Sequence, residues 1–286
     1  MSEIMRPIPF KKLIRWILEE YSQSSTIFGI RQNKFYKNQS NTVTEIFGDS
    51  ISSIIGPAAG PNSQLAQNIV ASYLAGARFM ELKTVQIMDG EELRNCVPRP
   101  CIKVEDEGYN VEWSTELYVE EAMNEYIKAW FLIHIFAKEL GLSEIRDFIF
   151  NISLGYDLEG IKSDKINAFV EGMKNASNTE IWKECREYLL ENTDLFENIN
   201  KDFIDAIEPS ISPSVTLSTL HGCPPEEIER IVMYLMEETR MHTYVKCNPT
   251  LLGYDFARTT LDSMGYDYLV FDNHHFVNSV QCFYSV

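Results

Sequence analysis

The chain of 286 residues carries 25 Lys and Arg against 42 Asp and Glu, a net charge of −17 with a pI near 4.7. Such a field repels phosphate backbones and anionic lipid headgroups, and no local basic patch offsets it, which argues against nucleic acid and membrane surfaces as partners. With 45% hydrophobic and 12% aromatic residues, the chain has the material for a sizeable core and is not disordered.

In chain order, Phe10, Leu13, Ile14, Ile17 and Leu18 recur at helical spacing and predict an amphipathic helix over Phe10–Tyr21. From Ile51 onward, short apolar runs alternate with helical patterns, the signature of βα units and a parallel sheet. The first unit is a strand over Ile51–Gly60 and a helix over Gln64–Ala75. The second is a strand over Arg78–Thr84, a long polar connection over 85–114, and a helix over Thr115–Leu140. Phe148–Ser153 predicts a third strand, followed by helices over Ile161–Asn175 and Asn178–Leu190 and an acidic insertion over 191–213. Val215–Thr219 predicts a fourth strand with a helix over Glu226–Glu238, Thr243–Asn248 a fifth with a helix over Asp255–Met264, and Tyr268–Phe271 a sixth. Strand–helix repeats without Gly-x-Gly-x-x-Gly after the first strand favour a (β/α)8 TIM barrel over a dinucleotide fold. Too few residues follow the sixth strand for two more units, so the barrel is expected to be truncated there. Residues 1–48 read as an N-terminal helical extension and 49–286 as the incomplete barrel.

The longest apolar run, Ala129 to Ala137, is broken by His134 and falls far short of the roughly 20 residues of a membrane span. Charge and prolines occupy the start where an export signal would be apolar, and six cysteines are too few and too scattered for a disulfide framework. The reducing cytoplasm is the expected compartment. Cys96 and Cys101 lack a second pair to complete a metal site, and His274-His275 beside Asp272 reads as a surface turn, so no metal is expected.

In a barrel, chemistry sits at the C-terminal ends of the strands. Those ends hold Gly56-Pro57-Ala58-Ala59-Gly60, Lys83-Thr84, Asn151 and Ser153, Ser218-Thr219, and Lys246-Cys247-Asn248. A lysine in an apolar strand needs an anionic partner. For Lys83 and Lys246 that partner is either a barrel carboxylate such as Glu81 or Asp272, or a shared anionic ligand. The small loop Ala58–Gly60 is either a tight turn or a surface for a flat ligand or a phosphate. Lysines with carboxamides (Asn151, Asn248) and hydroxyls (Thr84, Ser153, Ser218, Thr219) suit the polar edge of an isoalloxazine ring, which alternates acceptors and donors and turns anionic on reduction. His221-Gly222-Cys223-Pro224-Pro225 is a turn into a helix, and it also places a thiol at a helix N-terminus beside an imidazole, where it could serve as acid or base.

Several runs carry a resemblance. Met5-Arg6-Pro7-Ile8-Pro9-Phe10, Gly56-Pro57-Ala58-Ala59-Gly60-Pro61, Glu81-Leu82-Lys83-Thr84-Val85-Gln86, Thr216-Leu217-Ser218-Thr219-Leu220-His221-Gly222-Cys223-Pro224-Pro225 and Val245-Lys246-Cys247-Asn248-Pro249-Thr250-Leu251-Leu252-Gly253-Tyr254 resemble the N-terminal part of the bacterial family named "putative selenate reductase subunit". More remotely, the chain is similar to the flavin domains of dihydroorotate and dihydropyrimidine dehydrogenases. The resemblance implies an FMN-dependent oxidoreductase barrel at the front of a longer electron-transfer protein whose later regions bind FAD and 4Fe-4S clusters. It implies a small-molecule substrate and redox partner domains or subunits. It also implies that Lys83, Thr84 and Lys246 contact flavin, that Ala58, Ala59 and Gly60 pack against it, and that Cys223 is the substrate-side acid or base. Loops after strands seven and eight usually hold the FMN phosphate, so FMN binding by this chain is expected to be weak or absent. The readings from another class are a non-catalytic barrel scaffold and an inactive truncated fragment.

Overall fold

The computed structural model describes residues 5–38, 42–88, 91–92, 102–103, 109–110, 117–218, 224–247 and 249–277. Its centre is a four-stranded parallel sheet of β1 (Phe79–Glu81), β2 (Ile149–Leu154), β3 (Ser214–Ser218) and β4 (His242–Lys246), paired in chain order. Successive side chains of a strand point to opposite faces, and here the two faces differ in chemistry. Met80, Leu82, Phe150, Ile152, Leu154, Val215 and Leu217 form the apolar face, all buried. The register sets Glu81 beside Asn151 and Ser214, Ser153 beside Thr216 and Tyr244, and Ser218 beside Lys246 on the other.

Helices cover the apolar face. Those that matter to the site are α1 (Phe10–Ser24), α2 (Ala66–Leu74), α3 (Val119–Glu139), α4 (Asp164–Lys174), α5 (Glu180–Glu191) and α6 (Pro225–Met233), while α7 (Tyr254–Ser263) follows β4 and has no buried residue. The long apolar run Ala129–Ala137 is the interior of α3, where Trp130 packs edge-on against Phe148 and Phe150 with ring centroids 5.1 and 5.4 Å apart. The α1 helix buries Phe10, Leu13, Ile14 and Ile17, the stripe its spacing predicts. Two side chains of α3 tie distant segments together. Buried Glu125 accepts the Ala66 N–H at the start of α2 (2.8 Å) and pairs with Lys128, whose Nζ donates to the Ile8 carbonyl (2.7 Å).

The first and sixth predicted strands are corrected. Of the first, only Ile51 lies in a strand, as the last residue of Asp49–Ile51, which pairs antiparallel with Thr44–Ile46. The rest runs beside β1 without regular pairing, with Arg78 N–H on the Ile55 carbonyl (2.8 Å) and Glu81 N–H on the Pro57 carbonyl (3.2 Å). Pro57 has no N–H to donate, which prevents a continuous ladder here. Tyr268–Phe271 forms no strand. Its neighbouring carbonyls are held from α7 instead, Arg258 donating to Leu269 (2.6 Å) and Tyr266 (3.1 Å), and Val270 is 98% exposed. The insertion 191–213 folds onto the helical layer, burying Ile199, Ile204, Ile207 and Ile211. No helix among the described residues is long and apolar enough to cross a membrane.

Candidate functional site

Strands lie about 4.8 Å apart in a sheet, so β1 and β4, at opposite edges of four strands, would be roughly 14 Å apart if the sheet were flat. Yet Lys246 Nζ of β4 reaches Glu81 Oε1 of β1 at 2.8 Å, and the rings of Phe79 and Tyr244 lie 5.8 Å apart. The sheet is therefore strongly curled, and its polar face is the concave one. This is the curvature that barrel closure requires.

One end of the concavity is covered by an aromatic ring. The hairpin Thr44–Ile46 to Asp49–Ile51 turns through Phe47 and Gly48, both at positive φ (52° and 90°), as a two-residue primed turn demands. It lays Phe47 flat on His242, with centroids 4.2 Å apart, and beside Tyr244 at 5.4 Å. His242 begins β4, so the cap lies at the N-terminal end, and the C-terminal ends carry the candidate chemistry.

The middle of the polar face is internally paired. Asn151 is fully buried, donates to Thr216 Oγ1 (2.6 Å) and accepts from Ser214 Oγ (2.7 Å), so its carboxamide sits mid-strand with both ends held. Above it, Leu82 N–H bonds the Asn151 carbonyl and Val85 N–H the Ser153 carbonyl, a spacing that inserts one extra residue after β1. Thr84 and Ser153 share a hydroxyl hydrogen bond of 2.8 Å there. Lys83 is buried, its carbonyl accepting the Tyr126 hydroxyl of α3 at 2.9 Å. Ser218 ends β3 at 8% exposure, opposite Lys246. Burial raises the phenol pKa of Tyr244, keeping this face's ring hydroxyl protonated.

The Gly56–Gly60 segment bends over β1. A Cβ on Gly56 would lie 1.4 Å from the Phe79 carbonyl oxygen, so only glycine permits this approach. Farther along, Glu81 Oε2 accepts the Ala59 N–H (3.2 Å) and Ser63 Oγ accepts the Gly60 N–H (3.2 Å). Glu81 thus holds the loop with one oxygen and Lys246 with the other.

Of the expected site residues, the structure gathers Ala58, Ala59, Gly60, Lys83, Thr84, Asn151, Ser218 and Lys246 at or below one rim of the curled sheet. Cys223 and Asn248, with Thr219, His221 and Gly222, lie outside the described residues, as do Cys96 and Cys101. Pro225 does open α6, with Glu226 and Glu227 in its first turn. His274 is exposed, its N–H on the Asp272 carboxylate at 2.9 Å, and no cluster of three His, Cys, Asp or Glu suited to a metal occurs among the described residues. Ser214, Thr216 and Tyr244 went unmarked in the sequence, although the alternation in Ser214-Val215-Thr216-Leu217-Ser218 and His242-Thr243-Tyr244-Val245-Lys246 puts them on one face. A second polar group, at the opposite end of the sheet, also went unmarked. Fully buried Arg78 pairs with Asp147 (2.8 Å), which also accepts from Ser52 Oγ (2.5 Å) and the Tyr73 hydroxyl (3.1 Å).

Comparison with known proteins agrees with this architecture. Residues 28–286 match the family described as "Oxidoreductase YgfK, N-terminal TIM-barrel domain". The chain is 45% identical, over 94% of its length, to "Putative oxidoreductase YgfK" of Escherichia coli strain K12 and equally to its counterpart in Escherichia coli O157:H7. It spans 27% of the length of those relatives. Among solved structures, a ligand-free dihydroorotate dehydrogenase from Eimeria tenella aligns with 84% of this chain and 70% of its own, at 11% identity and a TM-score of 0.39, too low to carry an argument. The α/β architecture, the curled parallel sheet and the match over 28–286 together place this chain in the family of YgfK N-terminal TIM-barrel domains.

Proposed function

We propose that this chain is a flavin-binding barrel module of a larger electron-transfer oxidoreductase, with residues 1–48 as an extension and 49–286 as the barrel domain. The observation that carries the reading is the polar set at one rim of the concave face: Lys246 beside Ser218 on neighbouring strands, the hydrogen-bonded hydroxyls of Thr84 and Ser153, and the buried Lys83 next to Thr84 in the chain, beside a loop of small residues. That set fits a planar group with alternating acceptors and donors whose reduced form is anionic. FMN, when bound, supplies hydride and electron transfer. Lys246 and Lys83 offset negative charge there, and Ala58–Gly60 offers backbone rather than side chain to a flat ring. Cys223 is the proposed acid or base toward a small-molecule substrate. FAD and iron–sulfur centres belong to the later regions of the longer protein, with which this module exchanges electrons.

A second reading, a barrel scaffold without a ligand, is favoured by the Lys246–Glu81 ion pair, which already gives that lysine an anionic partner. Titration of the intact protein with FMN, followed by its absorbance, separates the two. Lys246→Ala is expected to weaken FMN binding at least tenfold while far-UV circular dichroism is unchanged. An FMN titration that shows no binding by the folded full-length protein would remove the flavin reading, and loss of fold in Lys246→Ala without any ligand effect would favour the scaffold.

A further inference from the structure

We infer that Glu81 sets the redox preference of the site by counter-charging Lys246, an inference that rests on the flavin reading above. Glu81 is a positioning residue and lies one bond away from two different jobs. Its Oε2 accepts the Ala59 N–H at 3.2 Å, and its Oε1 faces the Lys246 ammonium at 2.8 Å. The first job needs only an acceptor, which an amide oxygen supplies as well as a carboxylate does. The second needs a negative charge. Its side chain is 13% exposed while that of Lys246 is 35% exposed, so the carboxylate is fixed within the protein and the ammonium retains access to whatever occupies the rim.

FMN gains a negative charge when it takes two electrons and one proton to its anionic reduced form. A lone ammonium beside it would favour that form, and a carboxylate against the ammonium lessens the preference by opposing its field. Glu81 therefore holds the potential below the value Lys246 alone would set, while fixing the loop in either redox state. Removing its charge and retaining its acceptor isolates the first effect.

The test is anaerobic titration of the intact protein with oxidised FMN and with dithionite-reduced FMN, the ratio of the two dissociation constants giving the shift in potential. Glu81→Gln is expected to change the ratio about tenfold in favour of reduced FMN, about 30 mV upward for a two-electron couple, with the affinity for oxidised FMN within about threefold of wild type. Lys246→Met, which leaves the carboxylate uncompensated, moves the ratio the other way, and adding Glu81→Gln to it reverses that change. An unchanged ratio in Glu81→Gln, or a shift toward oxidised FMN, overturns the inference while leaving flavin binding intact. Should Glu81→Gln not fold, an unchanged ratio in Lys246→Met overturns it equally. Failure of the full-length wild type to bind either form overturns the flavin reading and this inference together.

Discussion

Asp147→Asn removes one charge from the buried group at the far end of the sheet. Arg78 and Asp147 are 0% and 6% exposed at 2.8 Å, where an effective dielectric of about 20 gives a gross attraction of about 6 kcal/mol. Breaking a buried pair from one side generally costs about 3–5 kcal/mol, because the remaining charge stays buried. Arg78 keeps the carbonyls of Tyr73 (2.7 Å) and Ala77 (2.8 Å) and the ring faces of Tyr73 (3.8 Å) and Tyr36 (4.9 Å). An asparagine oxygen also still accepts from Ser52 or Tyr73. The expected loss is therefore at the low end, about 3 kcal/mol, a large share of a stability that is typically about 5–15 kcal/mol. Urea unfolding followed by tryptophan fluorescence reads it as a lowered midpoint with unchanged slope. The charge-free pair Arg78→Met with Asp147→Leu should recover at least 1 kcal/mol of the summed single losses. A loss below 1 kcal/mol in Asp147→Asn, or strict additivity in the pair, refutes the assignment of this stability to charge compensation.

Two further outcomes follow from the geometry. Gly56→Ala forces a methyl group against the Phe79 carbonyl and is expected to cost more than about 3 kcal/mol or to abolish soluble folded protein; a urea midpoint near that of the wild type would mean the loop does not cross β1 this closely. His134 is half-buried against Trp130 and Phe148, and this desolvation, with Arg146, lowers its pKa to about 3. Its unfolded form binds a proton near 6.5, so its contribution is complete above that pH and is lost as pH falls toward 3. Between pH 7 and 5 the wild type should lose about 2 kcal/mol through this residue, and His134→Leu should flatten that part of the urea-midpoint profile.

The legibility of the fold follows the range of the interactions. Helices α1, α3, α4 and α5 were readable because their apolar stripes are local, and β2 to β4 because short apolar or alternating runs stand between helices. The Ile51–Gly60 and Tyr268–Phe271 runs are apolar too, but a strand also needs a ladder partner. The first is interrupted by Pro57, and the second lends the Leu269 carbonyl to Arg258. Lys83 and Lys246 stand out in the sequence as charges in strands, and Glu81 is one of two carboxylates it offers as their counter-ion. That it serves Lys246 while also holding Ala59 depends on the curl of the sheet, which no single strand records. Arg78 and Asp147 lie 69 residues apart, so neither announced the other.

The two reaches of α3 bear on how the molecule comes to be made. The α2 helix takes its N-terminal acceptor from Glu125, 59 residues farther along, and the Ile8 carbonyl takes its donor from Lys128, 120 residues away. During synthesis, both early segments leave the ribosome well before the helix that completes them. They wait as partly formed structure until α3 emerges and docks, so the first half of the chain should gain its protection against proteolysis or hydrogen exchange in one late step, with the loop-closure delay that long-range contacts impose.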